Sequence, residues 1–221
     1  MSRLFLQRLS TIYRVTFEKG ISGLIRLIKA YFFYQLKEKW EFVYFQMKVT
    51  PQPYNLPKLD ESIVFRIATK DDITLIKRDV YPCLGDKQQN DKRYIESIDS
   101  QEVKCFIAER DQRIIHYALL FEIAKSSPLM QTPIISNKIN LTDSYLGSVF
   151  TVPRARGLWI VPHSILNIFS YLASNTNSVR LLAIVHKDTP GSVGFYKRLG
   201  FDENIDFKKK DYLNSFRNFF I

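Results

Sequence analysis

Between residues 158 and 199 the sequence runs a helical stretch, a nearly unbroken apolar run and a second helical stretch, and this order constrains the fold more than any other feature. The run Val179 to His186 (VRLLAIVH) lacks polar alternation, which predicts a strand covered on both faces. Leu158 to Ser174 and Thr189 to Leu199 carry the flanking helices. Upstream, Ser144 to Val152 reads as a strand, and Lys104 to Glu109 with Arg113 to Ala124 as an antiparallel pair. Ser62 to Ala68 adds another strand. After it, Thr69 to Asp72 supplies an N-cap and first-turn acids for a helix reaching about Arg78. A further helix is expected near 90 to 98, and a long polar loop over 125 to 142, with a short strand at Pro133 to Ile135. Two hairpin-like strands followed by β-α-β-α predict a mixed α+β (α/β) domain whose central sheet is mixed and carries helices on both faces.

The chain before residue 60 differs in composition. Residues 51 to 57 (PQPYNLP) hold three prolines and read as an extended linker, dividing a segment 1–60 from a domain 61–221. Residues 1–60 contain ten Lys/Arg and four Asp/Glu, a surplus of six (10 − 4), within a formal net charge of +10 for the whole chain. Helices are expected over 3 to 17 and 21 to 47, the second with Ile21, Leu24, Ile25 and Ile28 on one stripe and Arg26 and Lys29 off it. Eight aromatics lie between Tyr31 and Phe45, more than one helix face can present. The segment is thus expected to pack on the main domain or on a second copy of the chain, as a homodimer. The other placement is against an anionic membrane surface through residues 1–50, with the aromatics in the headgroup layer. No nucleic-acid-binding motif is recognisable, and nucleic acid is not an expected partner.

Two cysteines, Cys83 and Cys105, make neither a zinc ligand set nor a disulfide framework, and no metal is expected. The N-terminus lacks the order of a signal peptide, and Arg26, Lys29, Lys37, Glu38 and Lys39 interrupt the most apolar N-terminal stretch short of a membrane span. The expected location is cytoplasmic, with peripheral contact at the inner membrane face as its variant.

The stretch VFTVPRARGLW, Val149 to Trp159, joins a strand to the start of a long helix. Unpaired backbone N–H groups and the helix dipole converge at such a junction, and two arginines beside a glycine suit an anion there. An ordinary strand-to-helix turn with solvated arginines is the competing reading. Neither GxxxxGK[ST] nor GxGxxG is present.

Strand, Val-Pro-Arg-x-x-Gly-Leu-Trp, helix, strand, helix and then GFYKRLGF (Gly194 to Phe201) together resemble the GNAT superfamily of acyl-CoA-dependent N-acyltransferases, over about residues 62 to 207 and most strongly over 145 to 201. The resemblance implies a GNAT-like central sheet and acetyl-CoA as cosubstrate. It places Arg154 and Gly157 at the first fixed positions of the loop that wraps the CoA pyrophosphate, followed by Leu158 and Trp159, with Arg156 leading in a shifted register. Trp159 stands where a small residue is commoner, and Thr189 where the next helix usually opens with Asn; Ser192 fits the pattern for the pantetheine arm.

Further roles follow from the same resemblance. Backbone N–H groups at Phe150, Thr151 and Val152 would polarise the acyl carbonyl, where two parallel strands splay apart. Tyr196 would protonate the departing thiolate. Glu122, Asp143 and His186, each near a strand end, are the candidate bases, whereas His116 mid-strand and His163 within a helix belong to the framework. Polar residues of the 125 to 142 loop, namely Ser126, Ser127, Gln131, Thr132, Asn137 and Asn140, suit a hydroxyl-rich acceptor. The expected activity is N-acetyl transfer to a small amine, such as an amino-sugar or nucleotide-sugar intermediate. A longer-chain acyltransferase at a membrane surface and a catalytically silent acyl-CoA-binding scaffold are the alternatives.

Overall fold

The computed structural model describes residues 42–50, 56–85, 89–98, 103–131 and 138–203. The helix expected over 3 to 17, residues 21 to 41 of the helix expected over 21 to 47, and the short strand at 133 to 135 lie outside the described residues. The described strands are β1 (Phe42–Lys48), β2 (Val64–Ile67), β3 (Val103–Arg110), β4 (Arg113–Phe121), β5 (Asp143–Thr151), β6 (Arg180–His186) and β7 (Asp202–Glu203). The described α-helices are α1 (Asp72–Asp79), α2 (Gln89–Glu96), α3 (Ile160–Asn175) and α4 (Pro190–Arg198). The strands form one mixed sheet in the order β2-β3-β4-β5-β6-β1-β7. Pairing is antiparallel from β2 to β5, and parallel between β5 and β6.

Period-two alternation distributes the strand side chains between two apolar layers. Ile107, Tyr117, Leu119 and Phe121 face a layer closed by Ile76 of α1 and Ile95 of α2. Their neighbours Phe106, Ala118 and Leu120 face the opposite layer, closed by Ile165, Ile168 and Leu172 of α3, by Tyr196 of α4 and by Leu199, which caps α4. Fully burying an aliphatic side chain stabilises by about 1.5 to 3 kcal/mol, so each layer fixes its helices firmly. Helices therefore cover both faces, as the sequence order predicts. The β3–β4 hairpin turns on Asp111 and Gln112, both at positive φ (51° and 58°), the geometry whose twist matches paired strands.

Over its described residues, 42 to 47, the helix expected over 21 to 47 is not found. Residues Phe42–Lys48 (FVYFQMK) form a strand, with Val43, Phe45 and Met47 in the α3/α4 layer. The reason is local: Phe42, Val43, Tyr44 and Phe45 are contiguous β-formers, and a strand between two neighbours buries both of its faces. The compact units accordingly divide between Phe42 and Val43, ahead of the proline-rich stretch, with His186–Asp188 grouped with Met1–Phe42. Within that smaller unit the Phe42 ring stands edge-on to His186 at 5.0 Å, and His186 Nδ1 lies 3.4 Å from Asp188 Oδ2. No helix among the described residues is long and apolar enough to cross a membrane.

Candidate active site

The β5–β6 pair is closed for only half its length. Asp143, Ser144, Tyr145 and Leu146 are in register with Arg180, Leu181, Leu182 and Ala183, and the ladder stops there although both strands continue. Where the ladder stops, β5 also changes register against β4, Leu120 facing Leu146 but Ala118 facing Val149. Three residues of β5 thus span two of β4, a β-bulge at Gly147 and Ser148. Gly147 suits the bulge because a Cβ there would lie 3.0 Å from the Phe121 ring and 3.3 Å from the Leu119 carbonyl.

Beyond the bulge the two edges of β5 have different tasks. Val152 N–H donates to the Ile115 carbonyl at 3.0 Å, so Val152 is turned toward β4, and by alternation so is Phe150. The backbone groups turned toward the opening are therefore those of Val149 and Thr151. Of the expected Phe150–Val152 donor set only Thr151 is oriented for the task, and Val149 replaces the other two. Behind Thr151, the buried His116 accepts or donates through Nδ1 to Thr151 Oγ1 at 2.9 Å, and burial pushes its pKa down to about 3. His116 is a neutral framework residue.

The chain then makes a short 3-10 turn at Pro153–Ala155 and enters α3 through an exposed loop. Ala155 N–H is bonded to Val152 O and Arg156 N–H to Pro153 O, while the amides of Gly157, Leu158 and Trp159 have no acceptor among the described residues. Gly157 has φ +85° and Trp159 φ 59°. A Cβ at Gly157 would meet nothing within 4 Å, so glycine is required there for backbone conformation and not for space. Trp159, half exposed at 51%, holds the same left-handed region without that freedom. The Arg154 side chain is exposed; Arg156, also exposed, reaches back with Nε to Thr151 O at 3.3 Å. Two guanidinium groups and three free amides at a helix N-terminus make an anion cradle. At the opposing helix, Thr189 O receives the amides of Ser192 (2.9 Å) and Val193 (3.1 Å), so Thr189 opens α4 through its backbone. Ser192 is exposed one turn along.

Tyr196 lies in the α4 layer, its ring stacked on Phe45 at 5.5 Å and edge-on to Phe201 at 5.1 Å. Burial, with a smaller contribution from Tyr145, holds its hydroxyl protonated well above the usual tyrosine range. The candidate bases fare differently. Asp143, buried, is clamped by Arg180 at 2.8 and 2.7 Å and also accepts the Asn140 amide. It starts β5, roughly 25 Å along the strand from Thr151. Glu122 follows β4 where Phe121 faces Tyr145, again at the closed end, and receives the Tyr171 hydroxyl. Neither borders the opening, because strand ends at the closed end of a parallel pair point away from it. His186 is engaged within the smaller unit described above. His163 faces the Pro57 carbonyl at 2.9 Å. In the polar loop, the Ser126 and Ser127 hydroxyls are spent on the Ile123 and Ala124 carbonyls.

The structure adds a carboxylate that the sequence does not advertise. Asp91, buried in the first turn of α2, receives the Tyr117 hydroxyl at 2.7 Å and the Ser148 hydroxyl, from the bulge itself, at 2.7 Å. Burial pushes its carboxyl up, and the two hydroxyls partly offset that.

The fold is that of the GCN5-related N-acetyltransferases: a solved enzyme of that group from Sphaerobacter thermophilus superposes with a TM-score of 0.54 over 84% of this chain at 16% identity. A Drosophila protein superposes with a TM-score of 0.52 over 74% of this chain at 13% identity. The matches span 54% and 48%, about half, of those two chains. No family model and no curated protein matches the sequence.

Proposed function

We propose that the protein is an acyl-CoA-dependent N-acyltransferase that carries an acetyl group to a small primary amine. The observation that carries this reading is the coincidence, on one strand, of a β5–β6 ladder that opens after Leu146 and an anion cradle that begins after Val152. A pyrophosphate at Gly157–Trp159 leaves an extended arm running down the opening, where the Val149 and Thr151 backbone can pair with it as a strand would.

The thioester supplies the activated acyl group. The chain's own residues do the rest. Arg154, Arg156 and the loop amides hold the diphosphate, and Ser192 and the first turn of α4 flank the arm. Backbone N–H at the opening stabilises negative charge that develops on the acyl oxygen. Tyr196 gives its proton to the leaving sulfur, a role for which a hydroxyl protonated at neutral pH is suited. The acceptor is an amine; an amino sugar is favoured by the polar composition of the 125 to 142 loop, whose Thr132 and Asn137 and the Gln131 side chain lie outside the described residues.

Release of free thiol from acetyl-CoA in the presence of amino sugars, polyamines and aralkylamines tests the activity, with calorimetric titration of CoA beside it. The expected result is amine-dependent thiol release by the wild type and loss of CoA binding in Gly157→Glu, which strains the left-handed backbone and sets a carboxylate against the diphosphate. Neither CoA binding nor thiol release with any amine overturns the proposal.

A further inference from the structure

Asp72, Asp79 and Asp143 are each answered by an arginine, respectively Arg66, Arg78 and Arg180. Asp91, also buried, has no ion pair among the described residues; its partners there are two hydroxyls. A carboxylate offers about four lone-pair sites, so acceptor capacity remains on both oxygens. A buried carboxylate in that condition favours whatever brings it a cation or a proton.

Its position is set by the bulge. Strict alternation from Tyr145 would put Ser148 on the opposite face of the sheet; the extra residue at Gly147 returns it to the Tyr145 face, where it meets Asp91. Asp91 is thereby fixed beside the point at which β5 and β6 part. Aromatic rings surround this point: Phe121 is edge-on to Tyr94 at 5.2 Å and stacked with Tyr145 at 5.7 Å, while Tyr117 stacks on Phe150 at 5.8 Å. A carboxylate among aromatic faces is the chemistry that recognises an organic ammonium. Tyr145 is within electrostatic reach of Asp91 on one side and of Tyr196 on the other.

We propose that Asp91 is the acceptor-side carboxylate, which binds the amine as its ammonium and takes the first proton from nitrogen. This rests on the acyltransferase reading above. The proton moves from R–NH3+ to the Asp91 carboxylate, the freed nitrogen lone pair forms the C–N bond, and the C–S bond breaks with its electron pair on sulfur. Sulfur takes the Tyr196 proton, the second nitrogen proton restores Tyr196, and the proton on Asp91 leaves to solvent after the amide departs. The sum is one amide, one thiol and one released proton for each ammonium and thioester consumed.

The test compares wild type with Asp91→Asn, using acetyl-CoA and the best amine from the thiol-release panel, over pH 5 to 9. Other titratable groups facing Asp91 are Tyr117 from β4, Tyr145 from β5, Tyr94 on α2, and Tyr81 and Cys105 beyond Tyr117; burial raises Tyr117 and Tyr145 and pushes Tyr81 and Cys105 up to about 12. Lys92 and Arg93 of α2 lie over the Tyr81 and Tyr94 rings. Asp91 is the one carboxyl among these groups, so loss of an acid limb in Asp91→Asn assigns that limb to it. Wild-type kcat/KM rises with pH as Asp91 ionises, and Asp91→Asn lowers kcat/KM by about 10² or more and abolishes that limb. The KM for acetyl-CoA stays within twofold.

The stability sign also differs from that of a structural carboxylate. A raised carboxyl pKa contributes most at low pH and loses that contribution as pH rises through it, so Asp91→Asn holds or raises Tm at pH 8. Should that variant fail to fold, Ser148→Ala removes one donor to the charged form, and the acid limb moves to higher pH. An Asp91→Asn enzyme with wild-type kcat/KM and an intact acid limb overturns the inference alone, as does an unmoved limb in Ser148→Ala. Absence of transfer by the wild type with every amine overturns this inference and the acyltransferase reading together.

Discussion

The two halves of β5 obey opposite rules. From Asp143 to Leu146 the strand is an ordinary interior strand: hydrogen-bonded to β4 and β6, buried at Asp143 and Ser144, and locked by the Asp143–Arg180 ion pair. From Gly147 to Thr151 it keeps its β4 partner and gives up β6, with a bulge at the boundary. Backbone polar groups removed from water need partners, and under the proposed function the acyl-CoA arm supplies them at the opened ladder. The closed half supplies rigidity, and the open half holds the Val149 and Thr151 backbone groups outside the β6 ladder, in directions fixed by β4 on the far side. A site built this way depends little on residue identity at the opening itself. It depends strongly on what holds the two halves in their different states.

The largest effect is expected for the chemistry proposed at the open half, through Tyr196 of α4. Tyr196→Phe keeps the ring packed against Phe45 and Phe201, so folding and acetyl-CoA affinity are expected to survive. The chemical step should slow by about 10² to 10⁴, the range for loss of a positioned general acid. Single-turnover kinetics provide the check; more than about half of wild-type rate with chemistry limiting removes Tyr196 from the mechanism.

The closed half should respond in stability and not in chemistry. Asp143→Ala leaves Arg180, only 26% exposed, facing an empty site, and costs about 3 kcal/mol on the scale for breaking a buried pair. Urea unfolding measures this. Acetyl-CoA affinity at a temperature where the variant is folded should change by less than about threefold, and a large loss would mean that the two halves are not independent.

Smaller again is the arginine pair at the cradle. Arg154→Ala is expected to weaken CoA binding by about 1.5 to 3 kcal/mol, the scale of a charge-assisted hydrogen bond. Arg156 is partly committed to Thr151 O, so Arg156→Ala should cost less by calorimetry. The reverse order selects Arg156 as the leading arginine.

The difference between the halves also separates what sequence reveals from what it hides. Patterned features were readable: Val179 to His186 as a covered strand, the helices after residues 158 and 189, and the Arg154–Trp159 junction, whose proline, arginines and glycine each have a local physical meaning. Strand β1 escapes a sequence reading because the helical spacing upstream of residue 30 runs into a cluster of aromatics whose own preference is β. The open half was not readable, since a ladder ends by tertiary geometry and the bulge is announced only by one glycine. Asp91 left no signal either. It sits in a polar stretch (QNDKRYIE) and acquires meaning only when a register shift turns Ser148 toward it. Glu122 and Asp143 illustrate the converse: acidic residues at strand ends are easy to nominate, but the strand direction decides which end the opening occupies.

In the proposed function the acyl-CoA arm completes the open half of β5 as an added strand. Residue-resolved amide hydrogen exchange, with and without saturating acetyl-CoA, tests it most directly. The account predicts that the Val149 and Thr151 amides exchange rapidly in the free protein and become protected on binding. Val152, already bonded to Ile115 O, and Tyr145 and Leu146, already in the ladder, should change little. Saturable acetyl-CoA binding that leaves Val149 and Thr151 as exposed as before would contradict it.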